Sequence, residues 1–206
     1  MLRTANKEII GYHYTNPDAY NSMRTGRTYG KTGLIQVKRF IRLGAADELP
    51  NEAHDGVIEG LLEPVPKSWT DNPEFPDLWS YLVHDVCKHD NVILLSFKLK
   101  PQDKAYVVER AHMERVLYYK DKTGINPSQE QYDNGYRLYW ESRIPVFDYA
   151  GNYSVPQLAI WSGIEFDRLK VEWIKPWRAA FEDMPQGLTA ACDTLIKIRS
   201  LVKTKP

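Results

Sequence analysis

The sequence has few cysteines, no long apolar run and no excess of charge of either sign. Its two cysteines, Cys87 and Cys192, provide no disulfide framework, so a reducing compartment is expected. The N-terminal segment lacks the apolar stretch of a secretory signal, and no stretch is apolar over the length of a membrane span. These absences predict a cytoplasmic location and no membrane partner.

The 206 residues carry 27 basic and 27 acidic side chains, so the net charge is zero. A chain without excess positive charge is not expected to bind nucleic acid or anionic membranes in a general way. Aromatic residues make up 12% of the sequence, with 13 tyrosines and 6 tryptophans, which suits stacking surfaces as well as an ordinary core. The length is enough for one well-cored domain, and we expect a single domain over 1–206.

Some segments of the chain have the hydrophobic pattern of strands and others have that of helices, which predicts an α+β fold. Strands are predicted at 34–41, 91–100, 105–109, 153–161 and 164–174, and helices at 77–88, 111–119 and 189–202. Residues 120–135 are polar and predict a long loop, either a flap over a site or a disordered insertion. Residues 176–206 are expected to form a C-terminal helical extension that packs on the domain.

A short apolar strand near the N-terminus leads into a polar turn and a helix. Asn16 is suited to cap that helix, and Pro17 suits its first position, where a missing N–H is tolerated. Gly26 is placed to end the helix. His13 and Thr15 then lie at the strand end, beside the free N–H groups of a helix start. Anionic and hydroxyl-rich ligands are commonly held at such places.

The same stretch carries a family resemblance over sixteen residues. The order Tyr-His-x-Thr, then Pro, Ser-Met and Gly, between Gly11 and Gly26 resembles the opening motif of the diphtheria-toxin-like ADP-ribosyltransferases of the His-Tyr-Glu type. This family includes many bacterial toxin domains. The resemblance implies two packed, mainly antiparallel sheets with surrounding helices. It also implies a mono-ADP-ribosyltransferase, a glycosyltransferase that uses NAD to modify a protein or nucleic acid, acting as a toxin or effector. Such a protein would reach a target cell without a cleaved signal peptide.

The resemblance also implies which side chains would hold NAD. His13 would hydrogen-bond a ribose, and Thr15 would brace the same corner beside Tyr14. Tyr29 is the candidate to stack on nicotinamide. From its own chemistry, Arg143 is a candidate to meet the pyrophosphate. We expect the cleft between residues 12–16 and 154–159.

The third motif of the family is a carboxylate at the start of a late strand, and Gln157 stands at the matching place. Nicotinamide leaves NAD through a state with positive charge at the ribose carbon, which a carboxylate opposes and an amide does not. Loss of such a partner costs about 3–4 kcal/mol, or roughly a hundred- to thousand-fold in rate. Three interpretations stay open: an inactive variant that binds NAD, another carboxylate such as Glu141 or Asp148 in the catalytic role, or a strand with a structural role only. If the motif applies, His13 and Gln157 face a common groove.

Two other functions compete with the transferase. One is a non-catalytic nucleotide- or protein-binding module of the same fold. The other is a Cys/His hydrolase that uses Cys87, which shares a predicted helix face with His84. No second pair of ligands lies near these two residues in the sequence, so no metal site is predicted.

Overall fold

The computed structural model describes residues 8–25, 58–76, 78–79, 89–160, 163–181, 193–194 and 196–197, and the fold and site below concern these residues. Tyr29, Cys87, Cys192, Gly26 and the predicted strand at 34–41 lie outside them. The predicted helices at 77–88 and 189–202 lie mostly outside them.

The described residues form two antiparallel sheets with helices around them, which confirms the predicted α+β class. The first sheet has the order β1-β3-β7, and these strands are Ile10–Thr15, Asn91–Lys98 and Lys170–Pro176. The second sheet has the order β2-β6-β4-β5, and these strands are Ile58–Gly60, Pro156–Ile160, Ala105–Glu109 and Ile144–Pro145. Strand β3, the most continuous apolar run, lies at the centre of its sheet, where both faces are covered.

The two sheets are joined where β1 meets the end of β2. The main chains of Tyr12 and Leu61 exchange two N–H···O hydrogen bonds of 2.9 Å. A Cβ atom on Gly60 would lie 2.9 Å from the main-chain oxygen of Tyr12, so only glycine allows this approach. The strands β1, β2 and β6 are therefore neighbours, in that order.

The inner faces of the two sheets share one apolar core. It contains Leu95 and Phe97 of β3 together with Leu158 and Ile160 of β6, all at most 1% exposed. The outer face of the first sheet is covered by a second cluster that includes Tyr14, and the outer face of the second sheet by a third cluster that includes Ala159. The alternation of apolar side chains along β6 fixes which residues belong to each layer.

Helices surround the sheets: α1 is Pro17–Arg24, α2 is Lys67–Thr70, α3 is Ala111–Leu117, α4 is Tyr119–Thr123, α5 is Gln129–Glu141 and α6 is Trp177–Ala180. The predicted start of α1 is confirmed, since Pro17 is its first residue and Asn16 Oδ1 accepts a 2.9 Å hydrogen bond from the Ala19 N–H. Strand β1 runs to Thr15, so Thr15 lies at the strand end as expected and His13 lies within the strand.

The prediction of a polar loop at 120–135 is wrong, because α4 and most of α5 occupy it. Ser128 and Gln131 form a capping box that begins α5, with side-chain to main-chain hydrogen bonds of 3.2 and 2.8 Å. Gly135 lies inside the helix, and a Cβ there would come 2.4 Å from Val116 Cγ2. The polar residues form the outer side of α5, and its apolar side follows at Tyr139 and Trp140, which are buried.

Candidate functional site

His13 is directed from the edge strand β1 toward β2. It pairs with Leu95 across the first sheet and therefore leaves β1 on the inner face. Its ring is part-buried, and Nδ1 lies 2.8 Å from the main-chain oxygen of Glu59. Because a carbonyl oxygen only accepts, Nδ1 carries the proton, and Nε2 of the neutral ring is an acceptor.

Glu59 lies in the middle of β2 and is part-buried. It pairs with Ala159 of β6, so its side chain leaves the sheet on the outer face, the face of Gln157. Gln157 is its diagonal neighbour on the adjacent strand, a position about 7–8 Å away in an antiparallel ladder. The backbone of Glu59 thus contacts the His13 ring, while its carboxylate is on the Gln157 side.

Gln157 is 3% exposed and its carbonyl oxygen faces two donors. The Tyr139 hydroxyl donates a 2.8 Å hydrogen bond to Oε1, and a guanidinium nitrogen of Arg110 approaches the same oxygen at 3.4 Å. Tyr139 comes from α5, which covers this face of the sheet, and Arg110 follows directly after β4. The side chain at position 157 is therefore held in a closed, donor-rich pocket.

Arg110 contributes a positive charge to this pocket and forms an ion pair with Glu114. Its Nε donates to Glu114 Oε1 at 2.5 Å, one helical turn away, and Glu114 is 2% exposed. Burial disfavours the charged guanidinium, but the charges of Glu114 and Glu59 outweigh it and raise the pKa of Arg110. Burial, and then the charge of Glu59, also raise the pKa of Tyr139, so its hydroxyl stays a proton donor.

Glu109 holds the segment that leads into Gln157. Its carboxylate accepts main-chain hydrogen bonds from Ser154 at 2.7 Å, Val155 at 2.9 Å and Ala111 at 3.3 Å. Glu109 thereby ties the start of β6 to the start of α3, and it is only 9% exposed. The three hydrogen bonds accepted by Glu109, called the Glu109 clamp below, fix the position of Gln157 from one side, and α5 fixes it from the other.

Tyr14 and Thr15 lie in packed surroundings. The Tyr14 hydroxyl donates to the main-chain oxygen of Pro64 at 2.7 Å, and its ring contacts Trp173 and Phe181 in the outer cluster of the first sheet. Burial raises the pKa of Tyr14. Thr15 is 4% exposed and leaves β1 on the inner face, as His13 does. Of the opening motif, the ring of His13 is thus the group that reaches β2.

Glu141 and Arg143 lie at the far end of α5. Glu141 is exposed and accepts hydrogen bonds of 3.0 Å from Arg137 in a surface pair. Arg143 is also exposed and donates to the main-chain oxygen of Trp140 at 2.7 Å. Asp148 is exposed on the short helical turn after β5. The described contacts do not connect these three side chains with Gln157.

The expectation that His13 and Gln157 face a common groove is wrong: β2 lies between their strands β1 and β6, and the two side chains leave on opposite faces. Glu59, Arg110 and Glu114 complete the site and were missed by the sequence patterns. Two local signals were available for them. Glu59 is a charged residue within the apolar run at 57–62, and Arg110 precedes Glu114 by the spacing of a helical ion pair.

No protein-family model matches the chain, and neither curated proteins nor solved structures give a match. Within the described ranges, no helix has the length and apolar character to cross a membrane. In the same part of the chain, no cluster of three or more His, Cys, Asp and Glu side chains is arranged to hold a metal ion.

Proposed function

We propose that this chain binds NAD where β1, β2 and β6 meet, and that it transfers ADP-ribose from NAD to a macromolecular acceptor. One observation carries the proposal. Glu59, on the strand between the two motif segments, accepts a 2.8 Å hydrogen bond from the His13 ring through its main-chain oxygen, and its side chain leaves β2 on the face of Gln157. Two segments more than 140 positions apart in the sequence thus both approach β2, one from each face of the sheet.

His13 is suited to hold a ribose of NAD in this proposal. Its Nδ1–H is directed at the Glu59 oxygen, which fixes the orientation of the ring beside β2. Gln157 acts as a positioning residue, because a side chain that is 3% exposed keeps Arg110 and Tyr139 in place rather than contacting a ligand. The acceptor of ADP-ribose is a protein or a nucleic acid.

A non-catalytic binding module of the same fold is the second candidate. It is favoured by the neutral side chain of Gln157, which is closed off from solvent at the place where the enzymes that the opening motif resembles carry a carboxylate. In this case NAD, or another nucleotide, binds and is not cleaved. The two candidates differ in one product, which is free nicotinamide.

Thermal unfolding with NAD, ADP-ribose and nicotinamide tests binding, and nicotinamide release tests the reaction. A ligand at a hundred times its Kd stabilises the folded chain by about 2.7 kcal/mol, which raises Tm measurably. His13→Asn keeps a side-chain N–H for the Glu59 oxygen and removes Nε2, so we expect it to weaken binding of NAD. His89→Asn, at a histidine outside the three strands, is the matched control. A chain whose Tm does not respond to NAD or ADP-ribose contradicts both candidates as NAD-binding proteins.

A further inference from the structure

The outer side of α5 contains a dipeptide with a chemistry of its own. Asn134 is the one asparagine of the sequence that precedes a glycine, and it is exposed on the helix. An asparagine deamidates without an enzyme when the main-chain nitrogen of the next residue attacks its side-chain carbonyl carbon. Glycine favours this attack, because it has no Cβ to hinder the nitrogen and its backbone reaches the conformation that ring closure needs. Asn134 is therefore the asparagine at which the unfolded chain should react fastest.

The packing of α5 on α3 requires the glycine of this pair. A Cβ at position 135 would lie 2.4 Å from Val116 Cγ2 and 3.1 Å from the main-chain oxygen of His112. Position 134 lies on the exposed side of the helix instead, where the Asn134 side-chain oxygen accepts a 2.6 Å hydrogen bond from Arg137. The close contact between the two helices thus gives Asn134 its reactive neighbour.

The folded helix opposes the reaction. Side chains on an α-helix are directed toward its N-terminus, so the side-chain carbonyl carbon of Asn134 points away from the Gly135 nitrogen. Within the helix, the N–H of Gly135 is bonded to the carbonyl oxygen of Gln131, four residues earlier. Arg137 holds the Asn134 oxygen and is itself held by Glu141 at 3.0 Å. Deamidation therefore needs local opening of α5.

We propose that Asn134 is a site of spontaneous deamidation whose rate is controlled by the opening of α5, with water as the co-reactant. The Gly135 nitrogen forms a bond to Asn134 Cγ, the bond from Cγ to the amide nitrogen breaks, and ammonia leaves with the proton of the attacking N–H. Water then opens the succinimide ring at one of its carbonyl carbons and yields aspartate or isoaspartate. Isoaspartate adds a methylene group to the main chain, which displaces Gly135 from Val116. Because α5 also carries Tyr139, the modification weakens the hold on Gln157.

The test follows the deamidation of each asparagine by peptide mass spectrometry. The full chain is incubated at mildly alkaline pH, in buffer and in guanidinium chloride. In denaturant, Asn134 should react faster than Asn21, which precedes a serine, and Asn152, which precedes a tyrosine. In buffer, its reaction should be at least about tenfold slower than in denaturant. Gly135→Ala should slow the reaction in denaturant, where its effect on packing plays no part.

Variants of α5 test whether this helix controls the rate. Tyr139→Phe removes the hydrogen bond between α5 and β6, so in buffer it should speed deamidation of Asn134 by about fivefold. Tyr132→Phe, at a part-buried tyrosine of the same helix, is the matched control and should speed it by less than about twofold. Both variants should react like the wild type in denaturant. A Tyr139→Phe variant that is no faster than the wild type in buffer contradicts control by α5.

The consequence for the fold is tested on chains that have reacted in denaturant and are then refolded. Reacted wild type should have a lower Tm than the Asn134→Asp variant, which gains the same charge without the added methylene. Asn134→Gln, taken through the same incubation, controls for changes elsewhere in the chain and should keep its Tm. Equal Tm values for reacted wild type and Asn134→Asp would show that α5 is not displaced. Equal rates for Asn134 in buffer and in denaturant, or a rate in denaturant no higher than that of Asn21, would overturn the proposal.

Discussion

The Tyr139 hydroxyl donates a 2.8 Å hydrogen bond to Oε1 of Gln157, and both side chains are almost fully removed from solvent. This contact joins α5 to β6 and fixes the amide at the centre of the proposed site. Because a buried polar group without a partner is costly, the pair stabilises the fold only as long as both members are present.

Tyr139→Phe removes the donor and leaves the Gln157 oxygen with the longer contact to Arg110. We expect a loss of about 1 kcal/mol in the free energy of unfolding, measured by urea denaturation. Tyr132→Phe, at a part-buried tyrosine of the same helix, should change it by less than half as much. Equal stability of the Tyr139 variant and the wild type would show that the hydrogen bond is not formed in solution.

Glu109→Gln should weaken the Glu109 clamp, the set of main-chain hydrogen bonds that this carboxylate accepts at the start of β6. Its carboxylate accepts three main-chain hydrogen bonds, which are stronger for a charged acceptor, and an amide would present a donor to at least one of those N–H groups. We expect the free energy of unfolding to fall by about 1.5–3 kcal/mol in urea denaturation.

Glu141→Gln is the control for this change, because it alters an exposed glutamate that pairs with Arg137 on the surface. It should change stability by no more than about 0.5 kcal/mol. The same variant also tests Glu141 as a catalytic residue, and a strong loss of nicotinamide release would favour that interpretation.

The elements that the sequence patterns predicted well are those with local signals. Asn16 and Pro17 begin α1 through contacts within a few residues, and the alternation of Gln157 with Leu158 is set by the geometry of a strand. The α+β class followed from such patterns and is confirmed, whereas the two antiparallel sheets, also observed, had been implied by the resemblance rather than by a local pattern. The polar run before Tyr136 was misinterpreted as a loop, although the capping pair Ser128 and Gln131 is a local helix signal.

The site depends on contacts that no local pattern contains. His13 and Tyr14 are adjacent in a strand, so they leave it on opposite faces, and the motif by itself does not say which face is covered. Arg110 and Glu114 have the spacing of an ordinary surface pair, yet Glu114 is 2% exposed and Arg110 reaches Gln157 on β6, which no local pattern predicts. Glu59 becomes part of the site because β2 lies between β1 and β6.

The ion pair between Glu74 and Arg115 predicts a small dependence of stability on pH. Two hydrogen bonds of 2.8 and 3.0 Å from Arg115 lower the pKa of Glu74 below its usual 4.5. A carboxyl group with a lowered pKa in the folded state stabilises the fold above its unfolded pKa, and this contribution is lost as pH falls through the folded pKa.

Glu74→Gln should therefore reduce the free energy of unfolding at pH 7 by about 0.2–1 kcal/mol, since both side chains are more than a third exposed and water screens them. The difference from the wild type should vanish at acid pH, once the pH falls below the lowered pKa of Glu74. Denaturation curves at several pH values measure it, and Glu130→Gln, at an exposed glutamate on α5, is the control. A difference that grows toward acid pH would contradict the sign.

Gly135 allows α5 to pack closely on α3. An added Cβ would lie 2.4 Å from Val116 Cγ2 and 3.1 Å from the main-chain oxygen of His112, so one of the helices must move. Glycine inside an exposed helix usually costs about 1 kcal/mol relative to alanine, which would favour the substitution. Here the clash outweighs that gain, and we expect Gly135→Ala to lower the free energy of unfolding by about 1–3 kcal/mol.

A double variant identifies the clash as the cause. Val116→Ala removes the methyl group that Gly135→Ala would meet, so the two changes together should cost less than the sum of their separate effects, by about 0.5–3 kcal/mol. Gly124→Ala is the control, because its cost should not be reduced by Val116→Ala. Its strain would come from the left-handed φ of 71° at Gly124, and no atom lies within 4 Å of an added Cβ there. Because α5 carries Tyr139, a helix displaced at Gly135 should also weaken the hold on Gln157. Additive effects, or a Gly135→Ala variant more stable than the wild type, would mean that the two helices lie further apart in solution.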